Sequence, residues 1–475
     1  MEKPLTADVV IVGGGTAGSV LAAKLSAAPD RTVVLLEAGP VELPQMQTLL
    51  HAETIPGARG ESSWRFAGSL AAGREWTHVR GKVIGGSSTT NGGYFIAAGP
   101  RDVNEWATVG GGPWSWENLR PLQIGIERDL DYPQSPAHGH DGPVTIERAR
   151  ADDPSIEAFH SAAVAMGLEG DLDKGADWSD GFGVTPSNRH DEIRSNAALA
   201  YLLPAAKKSN LRIVGNAVVL RVDISRGRAT GVHALIDGEL TRVAAGQVIL
   251  AAGALRSPDL LGLSGVRHPR LGRDLHDEPQ LILEIDGWPD STERRTWLGG
   301  VVHATLADGG SVEILQSLRP LHYIIGQPPE PSTPVPLFVS VDSAAEPGQL
   351  TRTSEDPMQL PRVEFDYLAT SAARTRLRHA VRFAAELACA GGGTVLRLDT
   401  TTLSDDSQLD SWIRANLGTA FHTTGGAAIG DVVDGAGYVL DIENLRVADL
   451  SILPSSPRRG PAATAFLVGE LLSRS

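Results

Sequence analysis

The chain of 475 residues is predicted to be an α/β protein, α+β overall, with a Rossmann-like nucleotide-binding unit joined to a second unit on an antiparallel sheet. Three observations predict it. A glycine turn sits between an apolar strand and a helix within residues 8–39. Strand-sized apolar runs then recur between helical stretches, the texture of a parallel or mixed sheet. Over residues 286–400 continuous runs give way to alternation, the texture of an antiparallel sheet with one solvated face.

Asp8-Val9-Val10-Ile11-Val12 is an apolar, β-branched run of buried-strand length. Gly13, Gly15 and Gly18 follow with G-x-G-x-x-G spacing. Ala17, Leu21, Leu25 and Ala28 recur at helical intervals, Pro29 and Asp30 end that helix, and Val33–Leu36 form the second strand. Glu37 closes it, nineteen residues after Gly18 (37 − 18). Gly13 permits the tight turn, Gly15 lets a pyrophosphate approach the backbone, and Gly18 lets the helix pack on the sheet. Thr16 and Ala17 open the helix, whose free N–H groups and positive dipole end suit phosphates. Glu37 can accept hydrogen bonds from a ribose diol. The motif fits a nicotinamide or a flavin dinucleotide equally.

Apolar residues make up 41% of the chain and mean hydropathy is near zero, so a large core is expected. The net charge of −15 argues against nucleic acid or an anionic membrane as the main partner. The single cysteine, Cys389, excludes an intrachain disulfide and a cysteine-based metal site. No apolar run is long enough to span a bilayer, and MEKPLTADVV lacks the apolar region of a secretory signal. The expectation is a cytoplasmic protein with no integral membrane segment, free to touch a membrane peripherally.

Pro40 to Val79 shows little period and reads as loops and short helices over the bound nucleotide. Residues 80–93, RGKVIGGSSTTNGG, read as a backbone-lined cradle rather than a linker. Ser155–Met166 is helix-like after Asp153-Pro154. His138 and His140 lie two apart in HGHDG, which reads as a turn; no metal site is assigned. Strands are expected near 210–223, 231–237 and 246–252. Gln327–Pro336 is a proline-rich loop. A long helix, Ala372–Ala390, carries Leu377, Ala380, Val381, Ala384 and Leu387 on one side. A last helix spans Ala463–Leu472, so the tail returns to the first unit. The boundaries expected are 1–150, 185–285 and 425–475 for the nucleotide-binding domain, and 151–184 and 286–424 for the substrate-binding domain.

Four motifs in order resemble those of the glucose–methanol–choline (GMC) flavoprotein oxidoreductases: RGKVIGGSSTTN (80–91), GALRSPDLLGLSG (253–265), FHTTGGAAIG (421–430) and NLRVADLSILP (444–454). The resemblance covers nearly the whole chain. It implies a Rossmann-like FAD-binding domain with a GMC-type antiparallel-sheet substrate domain, and it turns the dinucleotide into FAD. By position it implies that Gly13, Gly15, Thr16, Ala17, Gly18 and Glu37 bind the ADP half. Gly85, Gly86 and Asn91 would lie along the pyrophosphate and isoalloxazine. Val219 would meet the adenine through its backbone, with Gly253, Asp449 and Ala462 also at the cofactor. His422 would face the flavin as the base that takes a hydroxyl proton, a task that suits an imidazole.

Three departures from the family pattern bear on function. The histidine that carries covalent FAD in some members is Thr90 here, which implies non-covalent FAD. The second His or Asn of the family falls at Gly460, within Pro457-Arg458-Arg459-Gly460, so Arg458 or Arg459 is the candidate to reach the site instead. The region after Ser264 is short and the substrate domain compact. These features resemble the GMC enzymes encoded with the redox peptide mycofactocin. The function implied is oxidation of a CH–OH group by hydride transfer to flavin N5, with a dehydrogenase favoured over an oxidase. The substrate would be a small alcohol or a reduced redox-peptide cofactor, and the electron acceptor a respiratory carrier or oxygen. A general alcohol oxidase using oxygen, a hydroxynitrile lyase on the same fold, a light-driven decarboxylase and a non-enzymatic flavin-binding protein stay open as alternatives.

Overall fold

A computed structural model describes residues 5–42, 46–57, 62–168, 170, 173–327, 334–342 and 346–474; residues 328–333 of the proline-rich run lie outside these. The first strand, β1 (Thr6–Val12), enters α1 (Thr16–Leu25) and returns through β2 (Val33–Leu36). β1 and β2 are parallel, with Val10 beside Val34 and Val12 beside Leu36. Their side chains are buried on both faces, which explains continuous apolar runs rather than alternation.

Next comes an antiparallel hairpin, β3 (Ser63–Ala71) and β4 (Arg74–Gly81). This corrects the expectation of loops and short helices over Pro40–Val79. The strands are held by a distant partner, since residues 362–364 pair in parallel with β3. A Cβ on Gly68 would lie 1.8 Å from the Val363 carbonyl oxygen, so the glycine that weakens the local strand signal is needed for that pairing.

The short α2 (Ser87–Thr90) and then α3 (Pro100–Gly110) follow the glycine-rich segment. α4 (Pro154–Ala165) starts where Asp153-Pro154 signals it, with the Asp153 carboxylate accepting the Ser155 N–H. After β5 (Gly181–Val184), the chain runs through β6 (Leu211–Val214), β7 (Ala217–Ser225), β8 (Arg228–Ile236), β9 (Glu239–Leu250) and α5 (Arg256–Leu263). The first sheet has the order β6-β2-β1-β9-β8-β7. It is parallel from β6 to β9 and antiparallel through the β9-β8-β7 meander.

The second sheet is antiparallel and contains β10 (Pro279–Asp286), β11 (Leu298–Thr305), β12 (Ser311–Ser317) and β13 (Val335–Val341). Its central order is β10-β13-β12-β11-β5. α6 (Ser371–Ala390) buries Leu377, Ala380, Val381, Ala384 and Leu387 in the core of this sheet, the side expected from their spacing. The chain then rejoins the first sheet: β14 (Leu445–Val447) pairs in parallel with β9. α7 (Ala462–Leu472) is buried along nearly its whole length. A Cβ on its Gly469 would stand 2.7 Å from Val20 Cβ, so α1 and α7 touch closely. No helix among the described residues is long and apolar enough to cross a membrane.

Each sheet has its own apolar core. Two segments run between them, 275–280 and 418–430, and they are stitched together by a bridge from His276 to Thr424. Asp277, Glu278 and His422 lie on this seam.

Candidate active site and nucleotide cradle

The glycine turn between β1 and α1 has the geometry its spacing predicts. Gly13 has φ +101°, and a Cβ there would lie 2.6 Å from the Ala251 carbonyl oxygen. A Cβ on Gly18 would fall 2.0 Å from the Gly13 oxygen, so only glycine lets α1 sit this close. Gly15 caps α1 without a side-chain hydrogen bond, and Thr16 and Ala17 open the helix beside it. Over Gly15 there is room: a Cβ would find its nearest neighbours at 3.9 Å (Ala251 O) and 4.0 Å (Gly86 Cα).

Glu37 is buried, with Oε2 accepting the Gly14 N–H and Oε1 the Gly39 N–H, both at 2.8 Å. Burial outweighs those bonds and pushes its carboxyl up to about 7. The second glycine segment leans on the first. Gly85 donates its N–H to Gly14 O at 2.7 Å, and a Cβ on Gly86 would be 2.7 Å from Gly15 Cα. Asn91 ends α2 and its side-chain oxygen accepts the Gly93 N–H. Asp449 accepts the Gly253 N–H at 2.8 Å and the Ser257 hydroxyl at 2.5 Å, joining two motifs far apart in sequence. Val219 sits at an irregularity in β7, where its carbonyl accepts from Arg256 at 3.4 Å. Ala462 is the first residue of α7. Thr90 is buried at the end of α2.

His422 sits on the seam after Phe421, which has φ +62° and is 43% exposed. A phenylalanine in the left-handed region stores strain in a segment held by its neighbours. Asp277 does the holding: Oδ1 accepts the His422 N–H at 2.8 Å and Oδ2 accepts the Thr423 hydroxyl at 2.7 Å. Arg80 also donates to Thr423. Glu278 Oε2 lies 2.8 Å from His422 Nδ1. The bond leaves Nε2 with no hydrogen-bond partner among the described residues.

Gly460 faces that nitrogen. A Cβ there would be 3.2 Å from His422 Nε2 and 3.0 Å from Tyr94 Cδ1. The Tyr94 hydroxyl donates to Glu313 Oε2 at 2.5 Å, and His303 Nε2 meets the same oxygen at 2.9 Å. Arg459 is buried and donates to the Arg458 carbonyl at 3.2 Å, and its charge acts on Tyr94, His303 and Glu313. Of the two arginines the sequence offers, Arg458 points away from His422. Its guanidinium binds Asp102 at 2.6 Å and Glu105 at 2.8 Å on α3, two acids that a sequence reading has no means of pairing with it.

The structure therefore brings His422, Gly460 and Arg459 together, and adds Asp277, Glu278, Tyr94, Glu313 and His303. The acid pair Asp277-Glu278, set just ahead of an alternating strand, is the one local signal that could have pointed to them. His138 is not a free surface turn residue. It is buried between Glu127 (3.0 Å), Asp129 (3.3 Å) and Asp173 (2.8 Å), and Arg148 binds Asp129 at 2.9 Å. Glu127, Asp129 and His138 lie close enough to share a metal ion, but Arg148 already places its guanidinium on Asp129.

The sequence matches the GMC oxidoreductase family profiles over residues 7–280 (N-terminal part) and 344–469 (C-terminal part). It is 32% identical to an uncharacterized GMC-type oxidoreductase of Rhodococcus erythropolis, over 98% of this chain and 97% of the relative. It is 30% identical to a 5-(hydroxymethyl)furfural oxidase of Methylovorus sp., over 98% of each chain. Among solved structures, a formate oxidase of Aspergillus oryzae, in work concerning modification of its FAD, matches with a TM-score of 0.88. That match covers 100% of this chain and 98% of the oxidase at 23% identity, a likeness of fold.

Proposed function

Because the chain belongs to the GMC oxidoreductase family, we propose that it is an FAD-dependent enzyme that oxidises a CH–OH group with His422 as base. One observation carries this reading. Glu278 holds Nδ1 of His422, and the free Nε2 faces Gly460. The chain's residues fit the cofactor: open space over Gly15, uncapped N–H groups at the start of α1, and the fixed carboxylates of Glu37 and Asp449 support an ADP and pyrophosphate site. When bound, FAD supplies the hydride acceptor. His422 Nε2 accepts the hydroxyl proton of the substrate. Glu278 keeps the ring in that orientation and stabilises the imidazolium that results. Asp277 and Arg80 pin the segment that carries the base.

Within this reading the FAD is non-covalent, with Thr90 at the attachment position, and the enzyme is a dehydrogenase. Reduced mycofactocin is the proposed substrate and a respiratory carrier the proposed acceptor. The compact chain supports a bulky substrate. A general alcohol oxidase using oxygen is the second reading, supported by the identity to the furfural oxidase.

The test is anaerobic. Flavin should leave the acid-denatured protein completely, and a flavin that stays with the polypeptide rules out the Thr90 reading. Alcohols are then added and bleaching of the flavin band is followed. Bleaching only by the reduced peptide supports mycofactocin; bleaching by a simple alcohol, with rapid reoxidation in air, supports the oxidase. Cyanohydrin cleavage without bleaching would establish a lyase. His422→Ala should slow flavin reduction on the order of 10²–10⁴-fold; an unchanged rate removes His422 from the mechanism.

A further inference from the structure

Resting on that reading, we infer that Tyr94 is a catalytic residue: its phenol hydroxyl is the second hydrogen-bonding group for the substrate oxygen beside His422, standing in for the side chain that Gly460 lacks. The first support is occupancy. A Cβ at 460 would meet Tyr94 Cδ1 at 3.0 Å, Tyr94 Cε1 at 3.2 Å and His422 Nε2 at 3.2 Å. The ring of Tyr94 and the free nitrogen of His422 thus border the same small space, and the ring takes the volume a larger residue at 460 would need.

The second support is rigidity. Gly92 O accepts the Trp297 indole N–H at 2.9 Å, and Asn91 accepts the Gly93 N–H at 3.1 Å, so the backbone before Tyr94 is fixed. The ring packs against a buried apolar cluster that includes Trp297 and Phe338.

The third support is orientation of the hydroxyl. Glu313 accepts its proton at 2.5 Å, and Glu313 is itself paired across the sheet with His303, at 2.9 Å. Burial and the Glu313 charge push the phenol well above its ordinary range, so the hydroxyl remains a donor at any working pH. Burial likewise keeps the His303 ring neutral, and its Nδ1 has no partner among the described residues, which leaves Nε2–H to donate to Glu313. The phenol has one proton and two acceptors for it. In the free site it points to Glu313. As the substrate O–H bond breaks and its proton moves to His422 Nε2, negative charge builds on the substrate oxygen, and the phenol turns about its C–O bond to donate there. The Tyr94 O–H bond stays intact throughout.

The holoenzyme carrying Tyr94→Phe tests this, because the ring and its packing are kept. Flavin reduction is followed anaerobically with benzyl alcohol, 5-(hydroxymethyl)furfural, choline and the reduced peptide cofactor. The expected result is a loss of about 10–10²-fold in limiting rate, with FAD content and thermal midpoint as in the wild type. Binding of 2-phenyl-2-propanol, which has no hydrogen to give up as hydride, should weaken several-fold when read from the flavin spectrum. Tyr94→Ala combined with Gly460→Asn should reduce faster than Tyr94→Ala alone, because the amide then has room. A Tyr94→Phe rate within twofold of the wild type overturns the inference and leaves the alcohol-oxidising function standing. So does a loss of rate that comes with loss of FAD and is not recovered in the double variant. A wild type bleached by none of these donors overturns the proposed function and the inference with it.

Discussion

Burial alone would push the His422 imidazole toward its neutral form, because a charged ring loses the solvation of water. Here burial is outweighed by the Glu278 carboxylate and its hydrogen bond, with Glu313 and Asp277 adding to them, and the ring is held above its ordinary value. The base is therefore protonated, and idle, up to a higher pH than a free histidine. The sign of the consequence is fixed. Flavin reduction should rise with pH through an apparent pKa above the usual imidazole range. Glu278→Gln keeps an acceptor for Nδ1–H but removes the charge. The pH profile should then move to lower pH by about one unit, and the plateau rate should fall roughly tenfold with the lost imidazolium stabilisation. A profile that stays in place would show that Glu278 only positions the ring. Sequence alone reveals His422 through its motif, yet not this acid, because residues 278 and 422 meet only in the fold, through the pairing of Gly418–Thr419 with β10 and the bridge from His276 to Thr424.

At the scale of elements, the two glycine segments act as one device. Gly85 and Gly86 press on Gly14 and Gly15, and both glycines of the second segment have positive φ. Gly86 and Gly253 offer a controlled comparison. Each has a positive φ (+55° and +85°), so alanine is strained at either by about 1–3 kcal/mol. Only at Gly86 would the new Cβ also strike another backbone, 2.7 Å from Gly15 Cα; at Gly253 nothing lies within 4 Å. Gly86→Ala should therefore weaken FAD binding by at least about tenfold, a strain of this size being worth that factor, and clearly more than Gly253→Ala. Fluorescence titration of the apoproteins with FAD checks this; equal affinities would show that the contact between the turns does not shape the site. The β1–α1–β2 unit, the long α6 and the antiparallel second sheet were legible because their signals are local: apolar runs, helical spacing and alternation. The β3–β4 hairpin was not, because its stabilising partner lies nearly 300 residues away (363 − 68 = 295). The choice between Arg458 and Arg459 was not legible for a similar reason, since the acids that hold Arg458, Asp102 and Glu105, are spatial neighbours and not sequence neighbours.

Across the whole molecule, the chain's excess of acid has to be accommodated where carboxylates are buried, and the cluster around His138 shows how. Glu127, Asp129 and Asp173 converge on the ring, and Arg148 bridges Asp129 and Asp173, tying the strand after residue 126 to the segment around 173. Burial opposes a charge on His138, but the hydrogen bonds it donates to Asp173 and Glu127 prevail and raise it to about 9. A group whose folded pKa exceeds its unfolded value of about 6.5 adds stability that is complete below the unfolded value and lost as pH rises through the folded one. The contribution is on the order of 3 kcal/mol and should disappear between pH 7 and 10. His138→Gln leaves the carboxylates with one cation fewer, so the variant should already be less stable at pH 7. Its thermal midpoint should then change less than that of the wild type as pH is raised to 10. The two midpoints, measured on the holoenzymes across that range, should converge by several degrees; parallel curves would mean that His138 is neutral in the folded protein and that Arg148 alone balances the cluster.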